Sequence, residues 1–160
     1  MTHGPYARLQ SLGIVLPPAI GPVGTFTPAT MTGSLMFLSG HIARRDGVPW
    51  VGRVGETLTP EEGGRAARAV AIDLLATMQA AVTDLACVRR ILKVTAFVNS
   101  APTFTDQPLV ANGASDLLRE VFGDAGVHAR SAVGVAQLPF GSCVEIELVA
   151  EVDDACGPRS

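Results

Sequence analysis

The stretch HARSAVGVAQLP, residues 128–139, and the VEIELVAEV that follows it carry the side chains best suited to chemistry. Arg130 opens a run of small and apolar residues. A cation in such a run costs free energy unless an anion meets it, and the planar guanidinium fork suits a carboxylate. Glu145 and Glu147 follow in the next segment, where a carboxylate can hold a water or move a proton. If the two segments are strands joined by a short LPFGS hairpin, the register sets Arg130 opposite Glu151 and Gln137 opposite Val144. The pattern alone therefore leaves Arg130 three partners: Glu151, Glu145 or a ligand. An exposed ion pair at a strand rim would contribute only about 0–1 kcal/mol.

The other reactive side chains are scattered. His3, His41 and His128 stand alone, and Cys87, Cys143 and Cys156 show no metal-ligand spacing. No metal site and no disulfide framework are expected, with two thiols buried and one in a tail.

The elements that must position these residues read clearly in places. In TPEEGGRAARAVAIDLLATMQAAVTDL, Thr59 fits a helix N-cap, Pro60 the first helical position and Glu62 the third residue of a capping box. Ala67, Val70, Leu74, Met78, Ala81 and Leu85 form its packed stripe. A second helix is predicted around Phe104 to Phe122, packed through Leu117, Leu118, Val121 and Phe122 and closed by Gly123. A short helix fits PYARLQSLGI within residues 1–16. Strands are predicted near Val23–Thr27, at residues 34–43, through Val48–Val54 after an Asp46-Gly47 turn, and in ILKVTAFVNS. In the last of these Leu92, Val94, Ala96 and Val98 point one way, and Lys93, Thr95, Phe97 and Asn99 the other. Arg130–Leu138 and Cys143–Val152 complete the set.

The order hairpin, helix, strand, helix, hairpin predicts one α+β domain, a sheet with the helices on its apolar face. Its other face, with Lys93, Thr95, Asn99, Glu145, Glu147 and Glu151, is either solvated or covered by another subunit. The 160 residues are 48% hydrophobic and 17% charged, which excludes a disordered chain. A net charge of −3 argues against a broad grip on nucleic acid or an anionic membrane. With no apolar run of membrane-spanning length and no basic-then-apolar leader, a cytoplasmic protein is expected.

ARSAVGVAQLPFGSCVEIELVAEV resembles the C-terminal signature of the RidA/YjgF family: an Arg-Ser pair, a Leu-Pro turn and a strand with Glu-x-Glu. FLSGHIA resembles the family's Ser-Gly-Gln-Ile strand, PPAIGPVGTF its Ile-Gly-Pro-Tyr segment and VTAFVNS its central strand. The resemblance divides the chain into an N-terminal extension, 1–16, a RidA-like domain, 17–152, and a tail, 153–160, as in a longer subgroup of the family. It implies a chorismate-mutase-like fold with two helices on one face of a mixed sheet, assembled as a homotrimer with active sites in clefts between subunits. It implies an enamine/imine deaminase that hydrolyses 2-imino and 2-enamino acids to 2-keto acids and ammonia without a cofactor. Arg130 would grip the substrate carboxylate and Glu145 the water. Ser39, Gly40, His41, Asn112 and Ala132 would line the substrate. Three positions depart from the family: Val23 replaces a Tyr, Ala132 a Cys and His41 a Gln. They keep open an alternative, a non-catalytic trimer that binds small carboxylates or acts as an interaction module. An endoribonuclease is the third possibility, disfavoured by the acidic charge.

Overall fold

The computed structural model describes residues 4–21 and 24–156. The capping box forms as predicted: Glu62 N donates to Thr59 Oγ1 at 3.1 Å and Thr59 N donates to Glu62 Oε2 at 2.8 Å. It starts α2, Pro60–Val82, which buries Ala67, Val70, Leu74 and Met78. Before it come α1 (Pro5–Ser11), β1 (Ala29–Thr32), β2 (Leu35–Ile42), β3 (Arg44–Arg45) and β4 (Val48–Pro49). After it come β5 (Val88–Asn99), α3 (Gln107–Phe122), β6 (Ala129–Val135) and β7 (Val144–Val152). The helix α1 inserts Leu9 into the core, and Leu85 N donates to the Tyr6 hydroxyl at 3.0 Å.

The five-stranded sheet runs β1-β2-β7-β5-β6, with β5 and β6 parallel and the other pairs antiparallel. One face lies under α2 and α3. There Met36, Leu38, Val94, Ala96, Ile146, Leu148 and Ala150 are buried among the apolar residues of both helices. The fold is thus the mixed-sheet α+β arrangement expected from the sequence. The open face carries Phe37, Lys93, Thr95, Phe97, Ser131, Val133, Glu145, Glu147 and Val149, with Phe37 and Val133 exposed.

Several sequence expectations change. The predicted hairpin between the last two strands does not form. β7 lies between β2 and β5, while β6 pairs with the far edge of β5 after the crossover through α3. A parallel pair needs such a crossover, and here the β5-α3-β6 unit takes precedence over local pairing. Glu151 therefore meets Arg90, at 2.6 Å, and not Arg130; Gln137 lies beyond the end of β6. In β5 the register shifts between Ile91 and Lys93, so Ile91 is buried while Leu92, expected in the core, is half-buried. The first strand begins at Ala29 rather than near Val23–Thr27, and Val23 lies outside the described residues. The Asp46-Gly47 turn forms, but its return strand stops at Pro49 in a separate ribbon with β3. The second helix starts at Gln107, three residues later than Phe104. Cys87 and Cys156 are joined in a disulfide; Cys143 alone remains a free, buried thiol. Spacing hid this pair because 69 residues separate its members.

Two glycines are set by close approach. A side chain on Gly113 in α3 would overlap the Gly64 carbonyl of α2, so α3 lies directly against the backbone of α2 there. A side chain on Gly40 would overlap the Glu145 carboxylate. Among the described residues, no helix is long and apolar enough to cross a membrane.

Candidate functional site

Arg130 aligns with Val94 in β5, on the helix-covered face at the start of β6. Its side chain reaches α3. Nη1 donates to Asn112 Oδ1 at 2.8 Å and to Ser115 Oγ at 3.0 Å, and Nη2 donates to the Pro108 carbonyl at 3.3 Å. All three acceptors are neutral. Among the described residues no carboxylate lies within 4.0 Å of Arg130; the ion pairs use Arg53, Arg68, Arg89 and Arg90. A half-buried guanidinium is thus oriented by neutral oxygens and left with its charge unmatched.

Beside it stands His128. Its Nδ1 lies 2.6 Å from the Gly126 carbonyl and its Nε2 lies 3.0 Å from Ser115 Oγ. Burial lowers its pKa, and the nearby Arg130 charge adds to that. Ser115, Asp116, Arg119, Gly126, Val127, His128 and Arg130 line a cavity of about 360 Å³.

Glu145 occupies a different place. It pairs with Ile42 of β2 and Phe97 of β5 on the open face. The β2–β7 register breaks between Leu38 and His41, and Ser39 and Gly40 occupy the break. Gly40 leaves room for the carboxylate of Glu145, while Ser39 Oγ donates to the Thr27 carbonyl at 2.7 Å. Glu145, Ser39, Gly40 and His41 share a cavity of about 330 Å³ with Arg44 and with apolar walls from Ile20, Phe26, Pro28, Ile42, Pro139 and Phe140. Burial raises the pKa of Glu145, and the like charge of Glu147 raises it further. A carboxyl so placed holds a proton more readily than a free one, as a group that passes protons to and from water should.

The chain therefore brings the predicted residues together in two sets. Arg130 and Asn112 form one; Glu145, Ser39, Gly40 and His41 form the other. Ala132 lies with the first set, two residues after Arg130, aligned with buried Ala96 and half-buried against the core. The His41 ring, placed among the substrate contacts by sequence, is turned toward α2: its Nδ1 lies 2.8 Å from the Ser39 carbonyl and its Nε2 lies 2.8 Å from Thr77 Oγ1. Because a carbonyl only accepts, Nδ1 carries the proton and the neutral ring accepts from Thr77. Burial lowers its pKa accordingly. Sequence reasoning missed Ser115 and the Pro108 carbonyl. Ser115 follows Asn112 by three residues, the helical spacing that puts two side chains on one face, and that signal was available. Among the described residues no group of three His, Cys, Asp or Glu side chains is placed to hold a metal.

Comparison with known proteins identifies the family. The chain is 47% identical to protein TCP17 of Trypanosoma cruzi over 150 residues, 92% of this chain and 94% of that one. It is 29% identical over 140 residues to a 2-iminobutanoate/2-iminopropanoate deaminase of Dermatophagoides farinae, covering 88% of this chain and 95% of the relative. The crystal structure of protein Atu1372 of Agrobacterium tumefaciens, described there as of unknown function, superposes with a TM-score of 0.87 at 40% identity, covering 93% of this chain and 92% of that one. Residues 6–152 match the family described as "YjgF/chorismate_mutase-like, putative endoribonuclease". An open-faced mixed sheet, the Arg-Ser strand and the Glu-x-Glu strand thus meet in one chain, which belongs to the RidA/YjgF family.

Proposed function

We propose that the protein hydrolyses reactive 2-imino and 2-enamino acids to 2-keto acids and ammonia, at clefts between the copies of a homotrimer. The observation that carries this reading is Arg130: a guanidinium aimed by three neutral oxygens, with no carboxylate of the described chain within 4.0 Å. Such a group is arranged to receive a carboxylate from outside the chain. Glu145 belongs to the opposite face of the same sheet, so a substrate touching both needs a second copy, with Arg130 from one and Glu145 from the other. The apolar and mixed residues of the open face, Phe37, Phe97, Val133 and Val149, are the surface we assign to that contact.

The chemistry then follows from positioning. Arg130 takes the carboxylate in a bidentate grip and presents the imine carbon toward Glu145. Glu145 accepts a proton from a water as the oxygen bonds to that carbon. Glu145 returns that proton to the nitrogen to give a carbinolamine; the new hydroxyl then passes its own proton to the nitrogen by way of Glu145 as the C–N bond breaks, so that ammonia leaves and the carbonyl remains. Glu145 ends the cycle in the state in which it began. The apolar walls around Glu145 suit a short aliphatic substrate side chain.

The test is direct. 2-Iminopropanoate generated in solution should lose its nitrogen faster with the protein than in buffer, read as release of the keto acid. Arg130→Ala should lower kcat/KM by the equivalent of about 2–5 kcal/mol, the cost of truncating one partner of a buried charged pair. No acceleration over buffer, or equal acceleration by Arg130→Ala, would overturn the reading.

One observation favours a second reading, a trimer that binds small carboxylates without turning them over. Ala132 offers no thiol where the family has one, and the ring of His41 is committed to α2. Binding of 2-ketobutyrate with no turnover of any imine would select it. The net charge of −3 weighs against the RNA cleavage named in the family's description.

A further inference from the structure

We propose that His128, acting through Ser115, is a positioning residue that fixes the direction of the Arg130 guanidinium. The inference rests on Arg130 being the carboxylate clamp. His128 has no counterpart in the mechanism above, yet it sits two residues before Arg130 and shares Ser115 with it.

The argument is one of proton placement. The Gly126 carbonyl can only accept, so the imidazole proton resides on Nδ1, 2.6 Å away. In the neutral ring this leaves Nε2 with a lone pair facing Ser115 Oγ at 3.0 Å. A serine hydroxyl has one proton to give. Given to His128, it turns the oxygen lone pairs toward Arg130 Nη1, also 3.0 Å away. Together with Asn112 Oδ1 at 2.8 Å and the Pro108 carbonyl at 3.3 Å, this holds the guanidinium plane against α3.

Protonation of His128 reverses the arrangement. Nε2 becomes a donor, Ser115 Oγ must serve two cationic donors, and its own proton loses its acceptor. Imidazolium and guanidinium then face each other across one hydroxyl, and the guanidinium is freed to turn. The groups facing His128 are few. Arg130 lies on β6, which begins just after His128; Ser115, Asp116 and Arg119 come from α3; Gly126 and Val127 contribute from the preceding turn. Of these charged groups, Arg130 is the one whose charge acts on the His128 ring. Burial and that neighbour both keep the ring neutral to lower pH than a free histidine.

Two arms test the proposal. In the first, nitrogen chemical shifts of the histidine ring should show His128 as the Nδ1–H tautomer, and Arg130→Gln should raise its titration midpoint. An Nε2–H tautomer, or a midpoint unmoved by Arg130→Gln, would overturn the relay whatever the protein's activity. In the second arm, kcat/KM for 2-iminopropanoate and Kd for 2-ketobutyrate are measured across pH. His128→Ala and Ser115→Ala should each weaken binding about tenfold, the scale of one hydrogen bond to a charged group, and chiefly in KM. The double variant should be no worse than either single one, because both remove the same link. His128→Gln, whose side-chain oxygen accepts from Ser115, should restore most of the binding and abolish the acid weakening of 2-ketobutyrate binding, while the acid limb of kcat/KM set by Glu145 remains. Additive losses, or a His128→Gln variant as weak as His128→Ala, would overturn the proposal. A wild-type protein that neither binds nor turns over would instead overturn the reading of the site, and the first arm would still decide the relay.

Discussion

The two faces of the sheet hold their polar groups on opposite terms. On the helix-covered face Arg130 is met by Asn112, Ser115 and the Pro108 carbonyl, so its hydrogen bonds are largely supplied while its charge has no counterpart. On the open face Glu145 has a shaped seat against Gly40, but burial and Glu147 both work against its negative charge. One half is oriented and lacks an anion. The other carries an anion that its own surroundings resist. Each is electrostatically unfinished within the chain, and the two deficits are of opposite sign. On the proposed reading, joining two copies supplies to each what it lacks, and assembly becomes a condition of catalysis rather than an accompaniment to it.

The largest effect expected from this contrast appears on mixing. Arg130→Ala and Glu145→Gln should each be nearly inactive alone. Unfolded together and reassembled in equal amounts, they should recover about one quarter of wild-type activity, because random assortment in a ring gives that share of clefts both intact residues. Activity that stays at the level of the separate variants would place both residues in one copy's site and break the comparison.

A smaller effect concerns stability. In the Arg130→Ala background, Glu145 keeps its raised pKa, so the folded chain binds more protons than the unfolded one just above the ordinary value of 4.5. Stability then falls as pH rises through that window and stays lower above it. Glu145→Gln should therefore raise the melting temperature by a few degrees at pH 7, with the gain vanishing once pH drops below the ordinary range. With Arg130 present and the copies assembled, the gain should shrink, since a facing guanidinium favours the carboxylate. An equal gain in both backgrounds would show that Glu145 never meets that arginine. The smallest effect is Glu147→Gln, which removes a like charge. It should move the acid limb of kcat/KM to lower pH and leave the plateau unchanged; a limb that does not move would assign the raised pKa of Glu145 to burial alone.

What could be read from the sequence was what neighbouring residues decide among themselves. Thr59, Pro60 and Glu62 announce the start of α2 because all the partners of a capping box lie within one turn. The alternation of Val144 to Val152 shows which side of β7 is buried, and the Arg-Ser and Glu-x-Glu strands carry the family resemblance. Strand order was not legible. The five residues from Leu138 to Ser142 look like a hairpin, yet Pro139–Gly141 form a short 3-10 turn with Phe140 at φ +58°, and β7 departs to the far side of β5. Pairing across β5 is a long-range choice made by the α3 crossover and the shared core. The division of the candidate site between two faces follows from that choice, which is why Arg130 could be identified as a candidate while its surroundings could not. The shift that exchanges Ile91 for Leu92 in the core is equally silent in the sequence: both are large aliphatic residues.

The close approach of Gly113 in α3 to the Gly64 backbone of α2 also acts as a gauge for the arginine. Asn112 immediately precedes Gly113 and Ser115 follows two residues later, so the distance between helix axes at that bare contact fixes how far both acceptors stand from β6. A methyl added there would overlap the Gly64 carbonyl, so α3 would have to shift together with the two acceptors it holds against Arg130. The missing side chain at position 113 is a machining allowance written into the helix, cut to the arginine that β6 presents to it.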